Sequence, residues 1–137
     1  MEDMLEGLRN LNTIAERSGI DPEAYRFLMR ALGHTFEMVG EKRHVTGREL
    51  TEGFKDLLRK ECGSMSPWLL MLWGVTDSMR IGRMVFDLIE LNMLAKRDED
   101  TIEDFRDCMN VATDFPENED VKLDWRLMPV SSEGGAI

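Results

Sequence analysis

The stretch from Trp73 to Arg97, WGVTDSMRIGRMVFDLIELNMLAKR, constrains the fold of this chain more than any other. At 100° per residue, Ile81, Met84, Val85 and Leu88 share one helical face. Gly82, Phe86 and Ile89 widen that face beyond half the circumference. A helix this apolar has to be covered on two sides, so the pattern places it in the middle of the domain. Thr76 reads as its N-cap, and Arg80, Arg83, Asp87 and Glu90 as its solvent strip. Asn92 reads as the residue that turns the chain afterwards, because Asn tolerates the left-handed conformation.

Four further helices are expected before it. Met4, Leu8, Leu11 and Ala15 form one stripe over about Asp3 to Arg17, ended by Ser18-Gly19. Asp21 caps a second helix with Pro22 at its first position, where a missing N–H costs nothing. Its main stripe is Tyr25, Leu28, Leu32, Phe36 and Val39, with Phe27 and Ala31 beside it and Gly40 as the stop. Thr46-Gly47-Arg48-Glu49 is a capping box opening a third helix through Leu50, Phe54, Leu57 and Leu58 to Cys62-Gly63. Ser66-Pro67 opens a short, wholly apolar helix that Gly74 stops.

After Asn92, Met93 to Lys96 reads as a strand, Asp98-Glu99-Asp100 as a turn, and Phe105 to Val111 as a return strand. The expected fold is therefore mainly α with a short β-hairpin near 93–111, in one compact domain over 1–116. Residues 117–137 read as an acidic, largely disordered C-terminal tail. Short helix, capped helix and hairpin is the element order of a winged helix, with Lys96 and Arg97 entering the wing.

Composition narrows the classes of function. A chain of 137 residues with a 42% hydrophobic and 32% charged share is ordinary for a globular domain. No apolar run approaches the ~18 residues of a membrane span, and the acidic start MEDMLEGLRN does not read as a secretory signal. Cys62 and Cys108 form no disulfide framework and fit a reduced cytosol, so the expected location is cytoplasmic. The net charge is −10, and it is segregated: residues 1–97 hold 14 Lys/Arg against 15 Asp/Glu, whereas 98–137 hold three against 12. Duplex phosphate demands a basic footprint, which this distribution does not offer.

Several short motifs, in order, carry a resemblance. They are Ala24-Tyr25-x-Phe27, His44-Val45-x-Gly47-x-Glu49-Leu50, Trp73-Gly74-Val75, Val85-Phe86-x-Leu88, Leu94-x-Lys96 and Asp104-Phe105. Spanning roughly Ile20 to Phe115, they resemble a family of short bacterial proteins, best represented in planctomycetes and verrucomicrobia, that has no assigned biochemical activity. Cys62 stands where the resemblance implies an aromatic, Asp87 where it implies Asn, and Asn92 where it implies Gly. The resemblance supplies no known catalytic residue to carry over, so it sharpens the expected fold more than the function.

The residues that could carry chemistry are few. His44 is the first candidate, as a general acid or base oriented by Glu49; the competing reading is a histidine that bonds backbone beside a helix start. His34 falls on a polar strip with Arg30 and Glu37 and reads as a surface residue. His34, His44, Cys62 and Cys108 are not paired at the spacings of a zinc site, so no metal is expected. Asp98-Glu99-Asp100 lacks the ligand and glycine pattern of a calcium loop. Most of the 11 methionines, Met84 and Met93 included, fall on apolar faces and read as core. Arg80 and Arg83 could meet nucleic acid, but Asp87 and Glu90 share their strip, and Arg83–Asp87 is a self-neutralising i,i+4 pair.

The leading expectation is thus a non-catalytic cytosolic protein-interaction module, with a protein partner and no cofactor. The alternative is a winged-helix-like nucleic-acid-binding regulator using Arg80, Arg83, Lys96 and Arg97, and the third reading is a small enzyme using His44 with Glu49. Monomer and homodimer both stay open.

Overall fold

Five α-helices form among the described residues of the computed structural model, 2–95 and 101–116. They are α1 (Glu2–Ser18), α2 (Pro22–Val39), α3 (Gly47–Cys62), α4 (Ser66–Trp73) and α5 (Ser78–Glu90), with 3-10 turns at Gly63–Met65 and Ile102–Phe105. The side chains of Met4 and Leu8, Lys96 to Asp100 and the tail from 117 onward lie outside the described residues.

Local chemistry sets these boundaries. The Asp21 carboxylate accepts from the Glu23 N–H at 2.8 Å, and Pro22 follows it in the first turn of α2. At α3 the capping box closes in both directions, Glu49 N–H to Thr46 Oγ1 at 3.1 Å and Thr46 N–H to Glu49 Oε1 at 2.9 Å. The N-cap of α5 is Asp77, not Thr76; its side chain accepts from the Arg80 N–H at 3.0 Å. Both residues are competent caps, but a carboxylate also meets the positive end of the helix dipole. Three helices end in the same Schellman arrangement, with Gly19, Gly74 and Asn92 at the left-handed position. At Asn92 (φ 60°) the Asn92 and Met93 amides return to the Ile89 and Leu88 carbonyls, each at 2.9 Å.

The core lies between α2, α3 and α5. Phe27 meets Phe54 edge to face with ring centroids 5.1 Å apart, and Trp73 of α4 closes on the same Phe27 ring. Ile81, Met84 and Leu88 of α5 are fully buried. That helix packs against α1, α2 and α3 and, on its other side, against the 102–105 turn. The two-sided burial expected of it is therefore present. Its polar strip differs from expectation, because Asp87 is buried and Arg80 half-buried. Met84 is core as expected, whereas Met93 is exposed.

The expected β-hairpin is replaced. Among the described residues there is no strand: 93–95 forms a bend and an irregular residue, and 101–115 a 3-10 turn followed by further turns. The backbone groups a ladder would use are taken by side chains. Ser78 Oγ donates to the Phe105 carbonyl and accepts from the Cys108 N–H, and Lys55 Nζ donates to the Cys108 carbonyl at 2.9 Å. Asp107 takes φ 53°, outside strand geometry. No strand of a winged helix's wing is present among the described residues, and Lys96, Arg97 and the turn expected at 98–100 fall outside them.

One buried polar cluster ties the helices together. The Tyr25 hydroxyl donates to Asp87 Oδ2 at 2.7 Å, the Ser18 hydroxyl lies 2.6 Å from the same phenolic oxygen, and Arg83 Nε donates to Asp87 Oδ1 at 3.1 Å. Burial, reinforced by the Asp87 carboxylate, pushes the Tyr25 pKa up to about 12. A raised folded-state value means that this contribution is complete below pH ~10 and is lost as pH rises through about 12. We expect stability to fall by about 2–3 kcal/mol over that window, at ~1.4 kcal/mol per pKa unit. Tyr25 is the chain's one tyrosine, so absorbance at the phenolate band reads it directly. A titration midpoint near 10 in the folded protein would contradict the cluster.

Candidate functional site

The C-terminal half of α2, the start of α3 and the C-terminal half of α5 do not meet completely. Between them lies a cleft of about 180 Å³. Its walls are Leu32 and Phe36 from α2, Leu50 from α3, and Val85, Phe86 and Ile89 from α5. Phe105 forms the floor, wedged where two glycines leave room: a Cβ on Gly82 would stand 2.8 Å from its ring and one on Gly47 3.1 Å. Leu94 and Ala95 line it further, and the polar residues are Arg43, His44, Thr46, Thr101 and Asp104.

Those polar groups are largely held by one another. Arg43 grips Glu49 in a two-pronged pair, Nη1 to Oε1 at 3.2 Å and Nη2 to Oε2 at 2.8 Å, and also donates to the His44 carbonyl. Thr101 and Asp104 cap the 3-10 turn. The Arg43 hydrogen bond, followed by the Thr46 amide, holds the Glu49 pKa down at about 2. A carboxylate that acidic is a poor base, and both its oxygens already accept bonds from Arg43 or Thr46. His44 sits half-buried on this cleft, next to Arg43 and ahead of the α3 cap.

The structure separates the two arginines from His44 and gives each a task. Arg80 donates from Nη2 to the Ser18 carbonyl at 2.8 Å and from Nε to the Gly74 carbonyl at 3.1 Å. One guanidinium thus satisfies carbonyls at the C-terminal ends of α1 and α4, where helix dipoles favour a cation. Arg83 is paired with the buried Asp87, in the i,i+4 relation its spacing implied.

His34 is less exposed than its strip suggested. Its Nε2 lies 2.7 Å from Asp56 Oδ2, bridging α2 to α3. Hydrogen bonds from His34 and then Lys60 hold the Asp56 carboxyl below its ordinary range. Cys62 and Cys108 are free thiols, and burial raises the pKa of Cys62, which weakens it as a nucleophile. Among the described residues no three His, Cys, Asp or Glu side chains gather as a metal site would need, and no helix is long and apolar enough to cross a membrane.

Sequence reasoning found His44 and Glu49 but not the cleft beside them, because its walls come from three distant segments. A signal for the Phe105 floor was present in Thr101-Ile-Glu-Asp104, a capping-box pattern at the head of a helical turn. No protein-family model matches the chain, and no curated protein or solved structure matches it.

Proposed function

We propose that this chain is a non-catalytic cytosolic interaction module that receives an apolar side chain of a protein partner in the cleft between α2, α3 and α5. The observation that carries the reading is the pairing of an apolar cavity with polar neighbours already committed to one another. Leu32, Phe36, Val85 and Ile89 offer an apolar surface, while Arg43, Glu49 and Thr46 spend their hydrogen bonds on the local fold. Such a site gains binding energy from desolvation around an anchor side chain. Against the nucleic-acid reading, Arg80 is occupied by two helix ends and Arg83 by Asp87.

The test uses tagged full-length protein purified from its native host, beside Ala95→Trp and a truncation after Phe115, each with and without nuclease. Ala95 is exposed and lines the cleft, so Trp there obstructs it without touching the core. The expected result is a protein partner that survives nuclease and falls roughly tenfold or more with Ala95→Trp. Recovery indifferent to Ala95→Trp would put the site elsewhere, and recovery abolished by nuclease would favour the nucleic-acid reading.

A further inference from the structure

Between the end of α1, its link to α2 and the end of α4 lies an open groove of about 860 Å³. Its two walls differ in chemistry. The α4 wall is apolar: Met71 is 54% exposed and Leu72 42%, within a run from Cys62 to Thr76 that holds no Asp, Glu, Lys or Arg. The opposite wall carries the exposed carboxylates of Glu16 and Asp21. The walls join where the Asp21 N–H donates to the Trp73 carbonyl at 2.9 Å. A surface helix ordinarily turns polar residues outward, so an apolar outer face marks a contact. With anions facing it, the matching occupant is apolar along one edge and cationic along the other.

We propose that residues 121–127 of the same chain, VKLDWRL, dock in this groove. In that segment Val121, Leu123, Trp125 and Leu127 alternate with Lys122, Asp124 and Arg126. An extended segment turns these two sets to opposite sides, which sets Leu123, Trp125 and Leu127 on Met71 and Leu72, and Lys122 and Arg126 towards Glu16 and Asp21. Asp124 lies between the two cations, and the segment keeps a charge of +1 against the two carboxylates. The tether is long enough. Arg59 of α3 holds the Asp114 carbonyl at 3.0 Å, and Ser66, at the head of α4, donates to the carbonyl of the adjacent Leu58 at 3.2 Å. From Ser66, Met71 is five helical residues on, about 8 Å, whereas the seven residues from Pro116 to Leu123 span up to about 25 Å. Tethering presents the segment at an effective concentration of order millimolar. The same segment of a second copy competes poorly, because two chains of net charge −10 repel one another. The cleft between α2, α3 and α5 is the poorer fit, since its lining pairs one cation, Arg43, with one carboxylate, Asp104.

Nuclear magnetic resonance of the full chain, with methionine methyls labelled and the Trp125 indole assigned through Trp125→Phe, tests the contact. A nuclear Overhauser effect is expected between the Trp125 indole and the Met71 methyl, with the same relative intensity from about 50 to 500 μM. Lys122→Glu with Arg126→Glu should lower the docked fraction roughly threefold or more, and added salt should lower it in the parent. Adding Glu16→Lys and Asp21→Asn to that variant should restore part of the contact, since Asn still caps α2. Circular dichroism on each variant verifies the fold. A Trp125 indole without contact to Met71 overturns the proposal, as does contact indifferent to the charge reversal. Contact that grows with concentration also overturns it, because the occupant would then come from a second copy, and so does contact of Trp125 with Phe36 or Ile89 in the other cleft.

Discussion

Replacing Gly53 by Ala destabilises the protein, opposite in sign to what helix propensity gives. Gly53 lies inside α3, where Ala is favoured over Gly by about 1 kcal/mol. In this fold, however, it is the point where α3 closes on α2. A Cβ there would overlap the Thr35 hydroxyl and stand 3.2 Å from the Thr35 Cα. Thr35 cannot swing aside freely, because it is buried and its hydroxyl donates to the Ala31 carbonyl at 2.7 Å. Separating the helices would also loosen the Phe27–Phe54 contact. Overpacking of this kind costs about 1–3 kcal/mol and outweighs the propensity gain. Denaturant unfolding should show a lower midpoint for Gly53→Ala, with part of the loss recovered in the double variant with Thr35→Ala. A stabilised Gly53→Ala protein would mean that the two helices do not approach as closely as described.

Phe105→Ala is expected to cost about 3–5 kcal/mol, the range for emptying a buried aromatic site. Only 4% of Phe105 is exposed, and its ring rests against Gly47 and Gly82. Neither glycine has a side chain to relax into the space, so the cavity persists. The loss is a large part of the ~5–15 kcal/mol that holds a domain together. A fall in melting temperature of roughly 10–20 °C follows for a chain of this size. It should be accompanied by easier proteolysis across 101–116, because Phe105 anchors that segment together with the Ser78 and Lys55 bonds. A melting temperature within a few degrees of the parent would show that the segment contributes little to the core.

The helices were legible because each is announced by local chemistry. Asp21-Pro22, the Thr46/Glu49 box, Ser66-Pro67 and the glycine or asparagine stops act within a few residues of themselves. The pattern could also say that α5 is wrapped, since its apolar arc exceeds one face. The hairpin was misread for a tertiary reason: apolar and polar residues over 93–111 can look strand-like, but the partners of Phe105 and Cys108 are Ser78 and Lys55, at least 27 residues away. Asp87 was placed in solvent because a carboxylate on a helix ordinarily faces water. Its burial is offset by the Tyr25 hydroxyl of α2 together with Arg83 of α5 itself. The same holds for Arg80, whose two carbonyl partners belong to the ends of other helices.

The sequence by itself determined that this chain is mainly helical, where most of its helices begin and end, and that its negative charge gathers in 98–137. Those properties follow from spacing, capping and charge, which are read within one segment at a time. Tertiary structure alone decided that Arg80 is committed to the ends of α1 and α4, that an apolar cleft opens beside His44, and that Met71 and Leu72 of α4 face outward. Each depends on which surfaces face each other after packing, and a cavity or an exposed face is a relation among distant segments that local pattern does not encode.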